Sequence, residues 1–458
     1  MKAAIPRLLP CAFLLAALLP APVPASESPL PGGSSGGFTL APGSTAPRLT
    51  LTDPGNHGWI IQSSPDLRQW TEGQTLRVYN GQLRTSILAD GSGGTRYFRF
   101  LHVPEPAPGL STVDLALDLP AALASYTNPV LPPAFTVPPI SGQDNTPAAN
   151  PVTNAGATLG RVLFYDKRLS LNQTVSCSSC HQQAHGFSDP ARFSTGFEGG
   201  LTSRNSMGLA NARWYQRRAF FWDERAASLE IQVLQPVQNG LEMGMTLTAL
   251  ETRLGSEPFY AQLFTAAFGS PAVTSDRISR ALAQFIRSII STTTKYDAGA
   301  ASNFANFSDE ENLGRRIFLG QVGGATCTAC HGTDNFVPGP AINNNGLENP
   351  YTDKGLGAVS GRPQDEGLFK VNSLRNIALT APYMHDGRFA TLEEVVEFYN
   401  SGIVNHPNLS PPLRRNGGPL RLNLTAAQKA ALVAFLKTLS DPGLASDPRF
   451  SDPFHYGP

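Results

Sequence analysis

The chain has 458 residues, of which 41% are hydrophobic, and this size and composition predict two or three globular domains. Its 35 lysines and arginines balance 35 aspartates and glutamates, so the formal net charge at pH 7 is zero. The balance, together with the lack of a basic block in the sequence, argues against nucleic acids and anionic membrane surfaces as partners.

The first 25 residues have the organisation of a secretory signal peptide. A basic start precedes an apolar run from Cys11 to Leu19 and small residues before Ser26, where we expect cleavage. The run lies between Pro10 and Pro20 and is shorter than the roughly 20 residues that span a membrane. We therefore expect a signal peptide over residues 1–25, a periplasmic or exported protein, and no membrane span.

Residues 37–103 are expected to form a small all-β module. β-prone stretches such as Trp59–Gln62 and Arg96–Phe100 alternate there with turns rich in Gly, Ser, Asp and Asn. No Cys or Met occurs in this stretch of the sequence, so we expect an accessory sandwich without a catalytic site. Residues 104–150 follow as a proline-rich connector and the start of the next region.

The pattern C-x-x-C-H occurs twice, at Cys177–His181 and at Cys327–His331. The two thiols of such a motif attach a haem covalently, and the adjacent histidine is the proximal ligand of its iron. A zinc site or a redox dithiol could use one such motif, but two complete copies favour haem. We predict two covalently bound haem c groups, held by Cys177, Cys180 and His181 and by Cys327, Cys330 and His331.

A short repeat precedes the two motifs, as Leu159–Phe164 and as Leu313–Phe318. It predicts two cytochrome c-like domains, over residues 151–310 with haem 1 and over residues 311–441 with haem 2, before a C-terminal tail at 442–458. The fold class is therefore mostly α: two cytochrome c-like haem domains, preceded by the small all-β module.

Helix signals support this fold class. Ser275 is expected to cap an amphipathic helix that follows it, and two capping boxes are predicted, one formed by Thr391 with Glu394 and one by Thr425 with Gln428.

From about Asp114 to Asp441 the chain resembles the bacterial di-haem cytochrome c peroxidase and MauG family. Besides the haem motifs, the resemblance is carried by four segments: Arg204–Ser206, Phe221–Asp223, Leu241–Gly244 and Leu379–Gly387. It implies an enzyme that reacts with hydrogen peroxide at haem 1 and passes oxidising equivalents through haem 2 to a reductant. That reductant would be a small redox protein donor or a residue of a protein substrate.

The resemblance also implies roles for residues near haem 1. Glu242 would be the acid/base that moves a proton between the peroxide oxygens, with Gln232 as a hydrogen-bonding positioner and Pro236 in the same catalytic set. Trp222 would lie between the porphyrins and relay electrons.

A calcium ion between the haem domains is implied as well. Asn205, Thr380 and Pro382 occupy the positions of its protein ligands, one side-chain oxygen and two backbone carbonyls, and such neutral oxygens suit Ca²⁺.

Two departures from the peroxidase pattern stand out. A histidine that blocks the peroxide haem in many relatives is replaced by Phe197, so haem 1 is expected to be open without prior reduction. The distal ligand of haem 2 is expected to be Tyr399, as in MauG, with Met384 as the rival by residue type. Tyr399 is predicted to share a helix face with apolar residues, and His385 completes the expected cofactor-binding set.

Two other readings remain open at this stage. The protein could be a di-haem electron-transfer cytochrome without peroxide chemistry, although Phe197 leaves haem 1 short of a second ligand. It could also be a redox sensor in which the β module binds a partner.

Overall fold

The computed structural model describes residues 112–120, 122–325, 327–337, 339 and 342–454, together with six strands between residues 35 and 103. The expected signal peptide, residues 1–25, lies outside the described residues. The chain divides into two compact units, one of residues 1–121, 253–263 and 453–458, the other of residues 122–252 and 264–452. Both haem motifs belong to the second unit. No helix in the described ranges is long and apolar enough to cross a membrane.

Strands occur where the sequence predicts β-structure. They form two antiparallel three-stranded sheets, with strand orders β1-β2-β5 and β4-β3-β6. The six strands are β1 (Ser35–Thr39), β2 (Arg48–Thr52), β3 (Gly58–Ser64), β4 (Thr71–Arg77), β5 (Gln82–Ser86) and β6 (Tyr97–Val103).

The remaining elements are mostly helical, as predicted. The α-helices are α1 (Thr112–Ala116), α2 (Pro133–Thr136), α3 (Asn154–Tyr165), α4 (Cys177–Cys180), α5 (Leu229–Gln232), α6 (Leu234–Gln238), α7 (Leu247–Gly255), α8 (Pro258–Phe268), α9 (Ser275–Ser288), α10 (Lys295–Ala300), α11 (Asp309–Phe318), α12 (Leu356–Ser360), α13 (Leu392–Glu397) and α14 (Ala426–Lys437). A π-helical turn, Phe398–Gly402, continues α13, and strands β7 (Arg414–Arg415) and β8 (Gly418–Pro419) form a small hairpin. Single 3₁₀ turns lie at Ser141–Gln143, Lys167–Leu169, Gln183–His185, Cys327–Ala329, Pro363–Asp365, Ile377–Leu379, Pro411–Leu413 and Leu444–Ser446.

The sequence repeat corresponds to two helix pairs of the same kind. Helix α3 packs on α9, and a Cβ atom at Gly160 would lie 2.0 Å from the carbonyl oxygen of Ala281. Helix α11 packs on α14, where a Cβ atom at Gly314 would lie 1.9 Å from the carbonyl oxygen of Ala431. Because glycine alone lets the two backbones approach this closely, the repeated Leu-Gly-Arg sequence fixes the helix crossing before each haem motif.

The helix caps agree with the sequence except at one position. Both predicted capping boxes, at Thr391 and at Thr425, are present. The cap of α9, however, is Thr274, whose hydroxyl accepts a hydrogen bond from the Arg277 N–H at 3.3 Å. The prediction of Ser275 as the cap was wrong by one residue, because Thr274 has the extended backbone of a cap and Ser275 is already the first residue of the helix.

We predict that Gly160→Ala and Gly314→Ala each destabilise the protein, because the new methyl group would overlap a backbone carbonyl that cannot rotate away. Overpacking of this kind costs about 1–3 kcal/mol, so the midpoint of thermal unfolding should fall. Gly142→Ala is the matched control, because no atom lies within 4 Å of its Cβ position. Equal midpoints for all three variants would contradict this account of the repeat.

Candidate active site

A cavity of about 830 Å³ lies within the unit formed by residues 122–252 and 264–452. It is lined by both haem motifs and by the further residues predicted to be catalytic, to bind the haems or to bind calcium. Around the first motif these are Cys177, Cys180, His181, Asn205, Trp222, Gln232, Pro236 and Glu242. Around the second they are Cys327, Cys330, His331, Thr380, Pro382, His385 and Tyr399. The fold thus brings the predicted set together, while the individual roles stay predictions.

The histidine of each motif is held in one tautomer. The Nδ1–H of His181 donates to the carbonyl of Phe187 at 2.9 Å, and the Nδ1–H of His331 donates to the carbonyl of Phe336 at 3.1 Å. A carbonyl oxygen only accepts, so Nδ1 carries the proton and Nε2 keeps its lone pair. Burial lowers the pKa of both histidines, that of His331 to about 4, which also favours the neutral ring. Both rings are therefore prepared to bind iron through Nε2.

The remaining polar groups of the cavity also fit haem. None of the four motif cysteines is used in a disulfide, and burial raises the pKa of the Cys177 and Cys327 thiols to about 12. The side-chain nitrogen of Asn343 is buried in the cavity wall without a hydrogen-bond partner among the described residues. Such a donor needs an acceptor, and a haem propionate supplies one. The residues present thus suit two covalently attached haems.

Gln232 lies on α5, which an ion pair ties to α9. Glu230 of α5 meets the buried guanidinium of Arg287 through two contacts, at 2.5 and 3.1 Å. Ser228 caps the same helix by accepting the Ile231 N–H at 3.2 Å. These contacts fix the short helix that presents Gln232 to the cavity.

Glu242 has the surroundings of a proton-transfer group. Its carboxylate is half-buried in the cavity wall, and this desolvation raises its pKa above the usual value, while the charge of Arg225 opposes the shift. Arg225 is itself held by Asp223, through contacts of 3.0 Å, and lies 3.6 Å over the ring of Phe221. Sequence reasoning missed Arg225, although it directly follows the Phe221–Asp223 segment.

Phe197, at the position of the missing histidine, supports the Glu242 loop. Its N–H donates to the carbonyl of Glu242 at 3.0 Å, and Asn172 donates to the Phe197 carbonyl at 2.6 Å. The ring is 9% exposed and fills the space beside Gly244, where an added Cβ would meet the ring at 2.5 Å. The Phe197 side chain therefore packs in the protein interior, on a segment joined to the Glu242 loop.

Trp222 is held in place by the Asn205 and His385 loops. Its indole N–H donates to the carbonyl of Asn205 at 2.8 Å, and the Asn205 N–H donates to the carbonyl of His385 at 2.8 Å. The ring of His385 lies edge-on to the indole, with centroids 6.4 Å apart, and stacks on Phe369 at 3.9 Å. Burial lowers the pKa of His385 to about 4, so this ring is neutral at pH 7.

An ion-pair network runs from the His385 side of the cavity towards Glu242. Arg204 binds Asp353 through two contacts, at 2.6 and 2.8 Å, and Asp223 through a third, at 2.6 Å. Asp353 lies 3.9 Å from the Nε2 atom of His385, and Asp223 also binds Arg225. The sequence identified Arg204 only as part of the Arg204–Ser206 segment, and its ion pairs with Asp353 and Asp223 are seen only in the structure.

The expected calcium ligands lie on the wall of the same cavity. The side-chain nitrogen of Asn205 donates to the carbonyls of Ala191, at 3.0 Å, and of Asp189, at 3.3 Å. Its Oδ1 atom is the one available to a cation, as are the carbonyls of Thr380 and Pro382. Calcium binding there stays a prediction.

Tyr399 and Met384, the two rival ligands of haem 2, meet at one amide. The side-chain nitrogen of Asn345 donates to the hydroxyl of Tyr399 at 3.4 Å and to the sulfur of Met384 at 3.5 Å. Tyr399 lies in the π-helical turn after α13 rather than in a continuous α-helix, and such turns are frequent at functional sites. Sequence patterns found both rivals but not Asn345, which is distant from them in the chain.

Known proteins resemble the chain over part of its length. A family model described as di-haem cytochrome c peroxidase matches residues 154–303. The methylamine utilization protein MauG of Methylophilus methylotrophus is 30% identical over 65% of the chain and 86% of its own length. Cytochrome c551 peroxidase of Nitrosomonas europaea is 34% identical over 64% of the chain and 82% of its own length.

Solved structures share the fold. The crystal structure of a MauG-like protein associated with microbial copper homeostasis has 35% sequence identity and a TM-score of 0.61, and the match covers 69% of this chain and 98% of that one. The diheme peroxidase BthA from Burkholderia thailandensis, at 23% identity and a TM-score of 0.54, covers 66% of this chain and shows the same fold.

Proposed function

Because the chain belongs to the family of di-haem cytochrome c peroxidases and MauG, we propose that it reduces hydrogen peroxide at the haem 1 site and passes oxidising equivalents through Trp222 and the haem 2 site to a reductant. The observation that carries the proposal is the single cavity shared by both haem motifs, Glu242 and Trp222. A small redox protein and a residue of a protein substrate are the two candidate reductants.

The residues of the haem 1 site suit peroxide cleavage. When bound through the two cysteines and the histidine of the motif, haem would supply an iron centre that exchanges electrons. Glu242 accepts the proton of the near peroxide oxygen and returns it to the leaving oxygen, which departs as water. Gln232 positions the peroxide by a hydrogen bond from its fixed helix. Phe197 cannot ligate iron, so peroxide can reach the site without prior reduction.

Trp222 provides the connection towards the haem 2 site. Its indole ring is oxidisable and polarisable, and the hydrogen bond from its N–H to Asn205 fixes its orientation. We also propose a calcium ion bound by Asn205, Thr380 and Pro382, which would join the segments on either side of the indole. Export through the signal peptide at residues 1–25 belongs to the same proposal.

We predict that Glu242→Gln slows the reaction with peroxide by about 10²- to 10⁴-fold, because the positioned acid/base is lost. In the unchanged protein the rate should fall on acidification at a pH above the usual carboxyl value, since burial raises the pKa of Glu242 and the ionised form is needed. Arg225→Gln removes the opposing charge and should move this acid limb to higher pH. Stopped-flow spectra recorded over a range of pH measure the peroxide rate of the unchanged protein, of Glu242→Gln and of Arg225→Gln. Glu198→Gln, at an exposed position, is the control.

Trp222→Phe should separate the two haem sites. Peroxide should still react at haem 1, whereas oxidation of haem 2 and of an added reductant should fail, because phenylalanine is much harder to oxidise than an indole. Trp214→Phe is the control, a buried tryptophan of the same cavity that packs on Phe135. Normal turnover of Trp222→Phe with a competent reductant would reduce Trp222 to a packing role.

Tyr399→Phe and Met384→Leu distinguish the ligands of haem 2. We expect Tyr399→Phe to change the haem 2 spectrum and Met384→Leu to cost mainly packing, because a phenolate is a hard anionic donor that favours oxidised iron. Optical and magnetic circular dichroism spectra of the oxidised holoproteins measure both. A sulfur-to-iron band that disappears only in Met384→Leu would assign the ligand to methionine instead.

A further inference from the structure

A second oxidisable side chain in the cavity wall is joined to a base. Tyr215 is buried and lines the cavity, and its hydroxyl donates a hydrogen bond to the carboxylate of Glu224. Burial and the Glu224 charge raise the pKa of Tyr215, so the phenol keeps its proton until an electron is removed. A phenol that must lose its proton on oxidation thus has an acceptor already in contact.

Glu224 is an unusual residue for its position. Its backbone φ is +55°, a region that favours glycine and is strained for a long side chain. The side chain is nevertheless buried, at 8% residue exposure, where Arg217 balances its charge through an N–H donated at 2.6 Å. A strained backbone and a buried carboxylate each cost free energy of folding. Glu224 has both, and its side-chain oxygen accepts the hydrogen bond from Tyr215.

Lys370 connects this pair to Trp222. Its backbone N–H donates to the Trp222 carbonyl at 2.8 Å, while its side-chain nitrogen lies 2.7 Å from the centre of the Tyr215 ring. Burial lowers the pKa of Lys370 well below its usual range, which reduces the positive charge that would oppose oxidation of the ring. A single residue, Lys370, therefore lies between Tyr215 and Trp222, the proposed relay.

From these contacts we infer that Tyr215 is a redox-active residue. It donates one electron to the haem site after that site has reacted with peroxide, and Glu224 accepts its proton. The inference rests on the proposed peroxide reaction, which consumes two electrons and two protons per peroxide to give two waters. Tyr215 supplies one of these electrons, its O–H bond breaks, and the proton passes to Glu224, leaving a neutral tyrosyl radical and a neutral carboxyl group. An external one-electron reductant restores the phenol as Glu224 returns the proton.

Two other tyrosines in the same unit provide matched comparisons. Tyr383 lines the same cavity, but its hydroxyl donates to the carbonyl of Ile377 at 3.0 Å, and a carbonyl is too weak a base to take the proton. Tyr296 donates to Asp334 at 2.6 Å but lines a separate cavity of about 360 Å³. Tyr215 has both features: a carboxylate acceptor, as Tyr296 has, and a place in the wall of the large cavity, as Tyr383 has.

The test is rapid-freeze electron paramagnetic resonance of the holoprotein after stoichiometric peroxide, with ring-deuterated tyrosine to identify the radical. We expect a tyrosyl signal in the unchanged protein, in Tyr383→Phe and in Tyr296→Phe, and no such signal in Tyr215→Phe. Glu224→Gln keeps the hydrogen bond but not the base, so its radical should form at least about 100-fold more slowly. Retained haem spectra and unfolding midpoints establish that both variants fold.

The outcomes separate this inference from the proposed function. If the haem spectra respond to peroxide but the tyrosyl signal is absent, or persists in Tyr215→Phe, or is unchanged in Glu224→Gln, the inference is overturned and the function stands. If the haem spectra do not respond to peroxide, the proposed function fails. The holoprotein is then oxidised by a flash-generated ruthenium(III) complex, which takes the place of peroxide as the oxidant. A tyrosyl signal dependent on Tyr215 and Glu224 then upholds the redox activity of this pair but overturns its donation to a peroxide reaction, and the absence of the signal overturns the whole inference.

Discussion

The arrangement of the site depends on the hydrogen bonds of Asn205. Its carbonyl accepts the indole N–H of Trp222, its backbone N–H donates to His385, and its side-chain nitrogen donates to Asp189 and Ala191. Three segments distant in sequence therefore share one residue that is buried and charge-free. Because every one of these bonds has a backbone carbonyl as acceptor, the geometry depends on the chain path rather than on the protonation of side chains.

The two helix pairs provide the frame around this centre. Gly160 and Gly314 allow α3 and α11 to approach α9 and α14, so each haem motif follows a helix whose position is fixed by backbone contact. The proximal histidines then gain the same hydrogen bond, from Nδ1–H to a carbonyl that follows the motif. A duplicated scaffold thus holds His181 and His331, the predicted proximal ligands, by the same kind of hydrogen bond.

Much of this could be predicted from sequence, because the haem motifs, the Leu-Gly-Arg repeat and the capping boxes are local patterns. The contacts that specialise the site are not local. Arg225 acts on Glu242 through space, Asn345 reaches Tyr399 across the fold, and the pairing of Tyr215 with Glu224 requires a strained backbone that no periodicity reveals. The cap of α9 is Thr274 rather than Ser275, a shift of one residue at a helix end where two adjacent hydroxyl residues could each serve as the cap.

Phe197 separates the proposed enzyme from a pure electron carrier. A carrier needs two protein ligands on each iron, whereas Phe197 offers none and is used to hold the loop of Glu242. At the second site Tyr399 and Met384 both contact Asn345, so both candidate ligands lie in the same part of the cavity wall. The proposed function accordingly gives substrate binding to the haem 1 site and electron storage or transfer to the haem 2 site.

The central claim is that the haem 1 site lacks a sixth protein ligand, and low-temperature electron paramagnetic resonance of the fully oxidised holoprotein without peroxide tests it most directly. The account predicts one high-spin ferric signal from haem 1 beside one low-spin signal from haem 2. Two low-spin signals of equal intensity would contradict it, because a protein side chain would then occupy the position left for peroxide.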